Sequence, residues 1–293
     1  MPADARELLA IADRLAPQFR RAFLAAVEAL NGQLTAAAIL EALATGNLRA
    51  LETAGAWRVF AAALEPVLRE AVLEAVSQSG AATIGRFPSS IQLQLAFDRT
   101  NPKALEAVDT VVQASLADIT NASRDAIRLV LRDAFTQGIP PAAVARRIRD
   151  DLGLTPRAAL AVENYRRGLL EQDVAGGRAD ELAGRYADRL LRQRATAIAR
   201  TETIRAASAG QQGAWLDAAS QGLLDRAASR RFWVVTPDDR LCPLCELVPD
   251  LNPEGVGLDE PFQTAAGPVM YPPAHPLCRC AVTLHFLKEA MAA

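Results

Sequence analysis

The chain has 293 residues, 51% of them apolar, which is enough to bury one large core or two modest ones. Thirty-two cationic side chains oppose 34 acidic ones, so the large basic excess of a general nucleic-acid coat protein is excluded. No apolar run reaches membrane-spanning length, and Met1-Pro2-Ala3-Asp4-Ala5-Arg6 lacks the basic-then-apolar pattern of a secretory signal, so a cytosolic origin is expected. Lys103 and Lys288 are the only lysines, and the arginine bias reflects coding composition more than chemistry.

Alanine and leucine dominate before Arg231 and β-branched runs are scarce, which predicts helix. Asp4 to Leu30 places Leu8, Ile11, Leu15, Phe19 and Phe23 on one stripe, with Asn31-Gly32 as its stop. Thr35 is placed to cap a short helix to Ala44, broken at Thr45-Gly46-Asn47. A longer helix with Leu64, Leu68 and Val72 on one face then runs to Ser77, with a kink expected at Pro66. Gly80 to Pro102 is mixed.

Pro102 to Gln137 is helical again and Gly138 ends it, and Pro140-Pro141 starts a helix over Ala142 to Asp150. Thr155 caps the next helix with Pro156 at its first position, running to Glu171 before Gly176-Gly177 interrupts. Ala179 to Ser220 reads as one bent helix or two. There Ala195, Ile198, Ala199, Ala206 and Ala209 form a small-residue stripe that also holds Glu202, which is therefore expected to be half-buried. A buried carboxylate needs a partner, so Arg200, Glu202 and Arg205 are read as a structural ion-pair group. Arg146, Arg147 and Arg149 cluster on a short helix; they form a solvated face or a contact to nucleic acid or a protein partner.

After Arg230, Phe232 to Thr236 and Ala281 to Phe286 read as strands around a segment rich in Pro, Gly and Asp. Two strands cannot stand alone in water, so this module needs docking or a metal staple. The predicted fold is mainly α: a helical body with a small loop-rich α+β C-terminal module. The predicted division is 1–110, a partner-specific helical region; 111–225, a second helical part; and 226–293, the Cys/His-rich module.

All four cysteines lie in that module. Cys242-Pro243-Leu244-Cys245 is a C-x2-C knuckle, and His275-Pro276-Leu277-Cys278-Arg279-Cys280 repeats the spacing. In a reducing compartment these residue types point to zinc, held by Cys242, Cys245, His275 and Cys278, with Cys280 as a replacement for either member of the second pair. The competing reading is a set of reduced, packed thiols in a proline-rich clasp. A catalytic zinc would want a nearby carboxylate, for which Asp238, Asp239 and Glu246 are the candidates.

The same blocks resemble the head-morphogenesis domain of Mu F-like phage proteins. They are Ala199-Arg200-Thr201-Glu202, a helix to Trp215, Trp233 through Asp238-Asp239-Arg240-Leu241 to Cys245, and Pro272-Pro273-Ala274-His275 to Cys280. The resemblance covers about Leu116 to Phe286; the first hundred residues resemble nothing we can name. It implies a non-enzymatic, low-copy minor head protein of a tailed phage that acts in head assembly with the portal or major capsid protein. Contact with packaged double-stranded DNA is also expected, in a virion at the capsid interior or near the portal, after a stay in the host cytoplasm. Neither a membrane nor a small-molecule substrate is expected. Some relatives carry an appended toxin or transferase; with the chain ending at Ala293, none is expected here. Two alternatives stand: a metal-dependent nuclease or hydrolase built on Asp238, Asp239, Glu202 and His275, and a zinc-ribbon nucleic-acid binder. The second needs a basic module, whereas Arg231 to Phe286 carries more acids than bases.

Overall fold

The computed structural model describes residues 1–45, 54–239 and 241–286. In chain order these form α1 (Ala3–Gln33), α2 (Ala36–Ala44), α3 (Ala54–Ile84), α4 (Ser89–Gln92), α5 (Pro102–Thr136), α6 (Pro141–Asp150), α7 (Pro156–Glu171), α8 (Gly176–Ser220), β1 (Ser229–Val234), α9 (Pro243–Glu246), α10 (Val248–Leu251) and β2 (Ala281–Phe286). The mainly α fold with a small two-stranded C-terminal sheet is the expected one. The predicted Gly46-Asn47 break and Arg240 lie outside the described residues.

Local punctuation explains most boundaries. Thr35 and Thr155 each accept a hydrogen bond from the amide three residues on, at 3.2 and 3.3 Å, and so cap α2 and α7. Gly138, at φ +62°, closes α5, and the Ile139 amide turns back to the Ala134 carbonyl at 3.0 Å. Three expectations need correction. Asn31-Gly32 does not stop α1, which runs to Gln33; α3 continues beyond Ser77 to Ile84; and Gly176-Gly177 opens α8 instead of interrupting a helix. Glycine in a helix costs only about 1 kcal/mol against alanine, which burial of neighbouring apolar residues outweighs. Ala179 to Ser220 belongs to a single 45-residue helix.

Two compact units share the chain. The first comprises residues 1–19, 68–113 and 197–293, the second 20–67 and 114–196. In the first, Leu8, Ile11, Leu15 and Phe19 of α1 are buried, as are Leu68, Val72 and Val76 of α3 and Ala206, Ala209 and Trp215 of α8. Close helix packing here depends on Gly210, where an added Cβ would lie 2.2 Å from the Val76 carbonyl oxygen.

In the second unit, Phe23 meets Phe60 edge to face at 6.4 Å, and Trp57 meets Phe60 at 5.9 Å. Its polar interior is an ion cluster. Arg166, fully buried, binds Glu163 and lies 3.4 Å from Asp150; its Nε is 3.2 Å from Asp180, near enough for charge attraction but not aligned for a hydrogen bond. Arg147 donates to Glu163 at 2.7 Å. Asp151 is also buried, yet neither of its carboxylate oxygens has a hydrogen-bond partner among the described residues. Burial first, and the Glu163 charge second, hold its carboxyl well above the ordinary range despite Arg166 and Arg147 nearby.

Gly210→Ala is expected to cost about 1–3 kcal/mol in chemical unfolding. Gly177→Ala, where the new Cβ meets nothing within 4 Å, should leave stability unchanged or slightly raised. Asp151 gives a pH prediction. The unfolded carboxyl ionises near pH 4 and the folded one only well above it, so this residue's contribution falls as pH rises through that window. Asp151→Asn should therefore melt higher than the parent at pH 7 and show no such gain at about pH 3. Asp150, which burial pushes up to about 6, adds its own loss over the lower part of the window and keeps it in the variant.

Candidate metal centre

β1 and β2 pair antiparallel, Ser229 opposite Phe286 and Val234 opposite Ala281. At that last pair β1 leaves toward Cys242 and β2 enters directly from Cys280, so strand register brings both cysteine segments to one end of the sheet.

Each knuckle is a tight turn closed by its own backbone. Cys242 caps α9: its carbonyl accepts from the Cys245 amide at 3.0 Å, and its Sγ from the same amide at 3.4 Å. In the second, the Cys278 amide donates to the His275 carbonyl at 3.1 Å, and Leu277 adopts φ +61°. The Leu277 amide donates to Thr201 Oγ1 on α8 at 3.0 Å. His275 Nδ1 lies 2.8 Å from the Pro276 carbonyl, which can only accept. That contact takes a proton on Nδ1, and it is Nε2 that faces the thiols.

Of the predicted ligand residues, Cys242, Cys245 and His275 come together, and Cys278 meets this group at Cys245. His275 Nε2 is 3.1 Å from Cys242 Sγ and 2.9 Å from Cys245 Sγ; Cys245 Sγ is 3.7 Å from Cys278 Sγ. Two overlapping sets result, Cys242-Cys245-His275 and Cys245-Cys278-Cys280, each with its donor atoms within 4.8 Å of one another. All four thiols are free. A tetrahedral zinc with bonds of about 2.3 Å would put two sulfurs about 3.8 Å apart, which the Cys245–Cys278 separation matches. Hydrogen bonds from Cys245 and Cys280 draw the Cys278 thiol far down, while the same contact with Cys278 pushes Cys245 up. Convergent thiols with an imidazole nitrogen turned toward two of them are a donor set that fits a soft divalent cation.

Around the ligands, Arg279 holds Asp238 through both carboxylate oxygens, Nη2 to Oδ1 at 2.6 Å, and its carbonyl accepts from Thr236 Oγ1 at 2.6 Å. The stretch before Cys242 is thereby tied to the stretch between Cys278 and Cys280. Glu202 is buried and lies 3.5 Å from Arg205; Arg200 lies 3.6 Å from Asp13. In the second unit, Arg147 is occupied by Glu163, Arg149 donates to Asn31, and Arg146 is 3.2 Å from Asp180.

Residues 125–283 match the family model described as Phage Mu protein F like protein, more than half of the chain. The chain belongs to this Mu F-like phage head-morphogenesis family. The span agrees with the resemblance carried by the motifs, and within it lie both knuckles of this Mu F-like domain. No curated protein and no solved structure matches the chain.

Arg231 is the residue that the motif reading missed. It is fully buried on β1, and it donates to the Gly257 carbonyl at 2.9 Å, Gln212 Oε1 at 2.8 Å, the Met270 carbonyl at 2.7 Å and the Glu260 carbonyl. Its guanidinium also covers Phe262 at 5.1 Å, which Trp233 meets edge-on at 5.3 Å. Burial lowers its pKa to about 10, so it stays charged at neutral pH. The signal was available: strand alternation places Arg231 on the same buried face as Ser229 and Trp233.

Arg231→Met should leave those four acceptors without a donor and lower stability by about 3 kcal/mol or more. The loss in melting temperature should persist after chelation, because the guanidinium acts independently of any cation.

Proposed function

We propose that this chain is a structural minor head protein of a tailed phage, acting in head assembly at the portal or inner capsid, with its C-terminal module stapled by one zinc ion. The observation that carries the reading is the coincidence of the family span with two donor triads, Cys242-Cys245-His275 and Cys245-Cys278-Cys280, that share Cys245. Cys280 stands ready as an alternative to Cys278 or His275, since it shares a donor set with Cys245. The zinc would be structural: closed by protein ligands, it would contribute folding energy to a module whose two strands are too few to be stable alone.

The portal or major capsid protein is the proposed partner class. For contact with packaged DNA, Arg146 and Arg149 are the side chains on hand, lining an open cleft of about 670 Å³ that also carries Asp150, Asp180, Glu181 and Asp188. Those acids weaken attraction to phosphate, so protein contact is the stronger part of the proposal. No single helix among the described residues is long and apolar enough to cross a membrane.

Elemental analysis should find about one zinc per chain. Cys242→Ser and His275→Ala should each lower metal content and melting temperature together, and a chelator should do the same to the parent. Full zinc content in both variants would sink the ligand assignment. Incubation with DNA separates the hydrolase reading: cleavage abolished by Glu202→Ala in a folded, zinc-loaded variant would replace the structural role with a catalytic one.

A further inference from the structure

The segment that carries the first knuckle has three faces. Leu247 keeps helical backbone, φ −74° and ψ −18°, across the junction of α9 and α10, so side-chain positions follow helical spacing from Pro243 to Leu251. Cys245, Val248 and Asn252 point inward: the thiol to the metal centre, the valine to the core, and the amide to the Val248 and Gln263 carbonyls. Leu244, Leu247 and Leu251 form a second stripe at the same spacing, with exposures of 47%, 48% and 49%. Beside them Glu246 and Asp250 lie on a third face, also exposed, and Glu254 is exposed in the turn that follows the helix.

Single exposed leucines are ordinary, but three in register along one helical edge form a ridge whose burial is worth roughly 1 kcal/mol or more per side chain. The acidic side chains decide what can cover it. An anionic membrane and a nucleic acid are both repelled by the exposed carboxylates of Glu246, Asp250 and Glu254 around the ridge, which leaves a protein surface. We infer that the Leu244-Leu247-Leu251 ridge is a docking surface for a protein partner that offers an apolar groove rimmed by lysine or arginine. The partner's source rests on the head-assembly reading: it is another head component. The ridge is held in place because its opposite face supplies a metal ligand and core side chains, so it meets the partner preformed.

The test uses the full chain with the purified portal and major head proteins encoded beside it. The parent should bind one of them, with affinity falling as salt rises. Leu247→Ser with Leu251→Ser should weaken binding by at least about tenfold, with melting temperature and metal content unchanged. Replacing Glu246, Asp250 and Glu254 together by Lys should weaken it comparably and flatten the salt dependence. A photo-crosslinking side chain installed at position 247 should join to a basic-rimmed apolar surface of that partner. If the parent binds and the double serine variant binds equally well, the ridge proposal fails while the head-assembly reading stands. Crosslinking to a second copy of the chain, or to DNA, overturns the proposal in the same way. If the parent binds neither head protein, both fall together.

Discussion

Removing a guanidinium from water costs several kcal/mol, and the C-terminal module is organised around recovering that cost at Arg231. The recovery comes from oxygen atoms spread along the chain: Gln212 on α8, then Gly257, Glu260 and Met270 in the loops between the strands. One side chain therefore specifies where a long, irregular segment must lie. Gln212 closes the set by donating to the Leu258 carbonyl at 2.7 Å. With the loops so fixed, the two knuckles meet at the end of a sheet too small to position them by itself.

The second unit meets a similar problem differently. Arg166 and Arg147 are balanced by Glu163, Asp150 and Asp180, and the excess of carboxylates in that cluster is accommodated by raised acid pKa values at Asp150 and Asp151. Arg194 in the same unit follows the Arg231 pattern, donating to the Ile119 and Gly153 carbonyls and to Ser123 Oγ. Carboxyls whose pKa is raised by burial make stability depend on pH, whereas carbonyl acceptors carry no titration, so the second unit's ion cluster responds to pH in a way that the Arg231 site does not.

What the sequence reveals divides along the same line. Thr35, Thr155, Pro156 and Gly138 act on their own neighbours, so helix ends at those residues were readable, as were the strand at Ala281 to Phe286 and the knuckle spacing. The continuation of α1 through Gly32 was not, because it depends on packing that no local rule contains. Glu202, expected half-buried, is buried, and Asp151 gave no sign of burial at all. Thr201 is more instructive. It lies inside the Ala199-Arg200-Thr201-Glu202 block, where attention fell on the charged residues, yet it is the hydroxyl that accepts from Leu277 and holds the second knuckle. A charge advertises its need for a partner; a threonine on a helix does not.

In the nine residues from Pro243 to Leu251 the proposed metal staple and the proposed interaction surface depend on one another. Helical spacing commits every third or fourth side chain to the same face, so a segment this short cannot turn Cys245 inward without turning Leu244, Leu247 and Leu251 outward. Nothing in the segment's length would make it helical alone, since isolated helices below about twelve residues are marginal in water. Its conformation must come from the ligand cluster and from Val248 and Asn252 beneath it. Release of the cation would then do more than loosen the knuckles: it would dissolve the register that lines up the proposed leucine ridge and its acidic border.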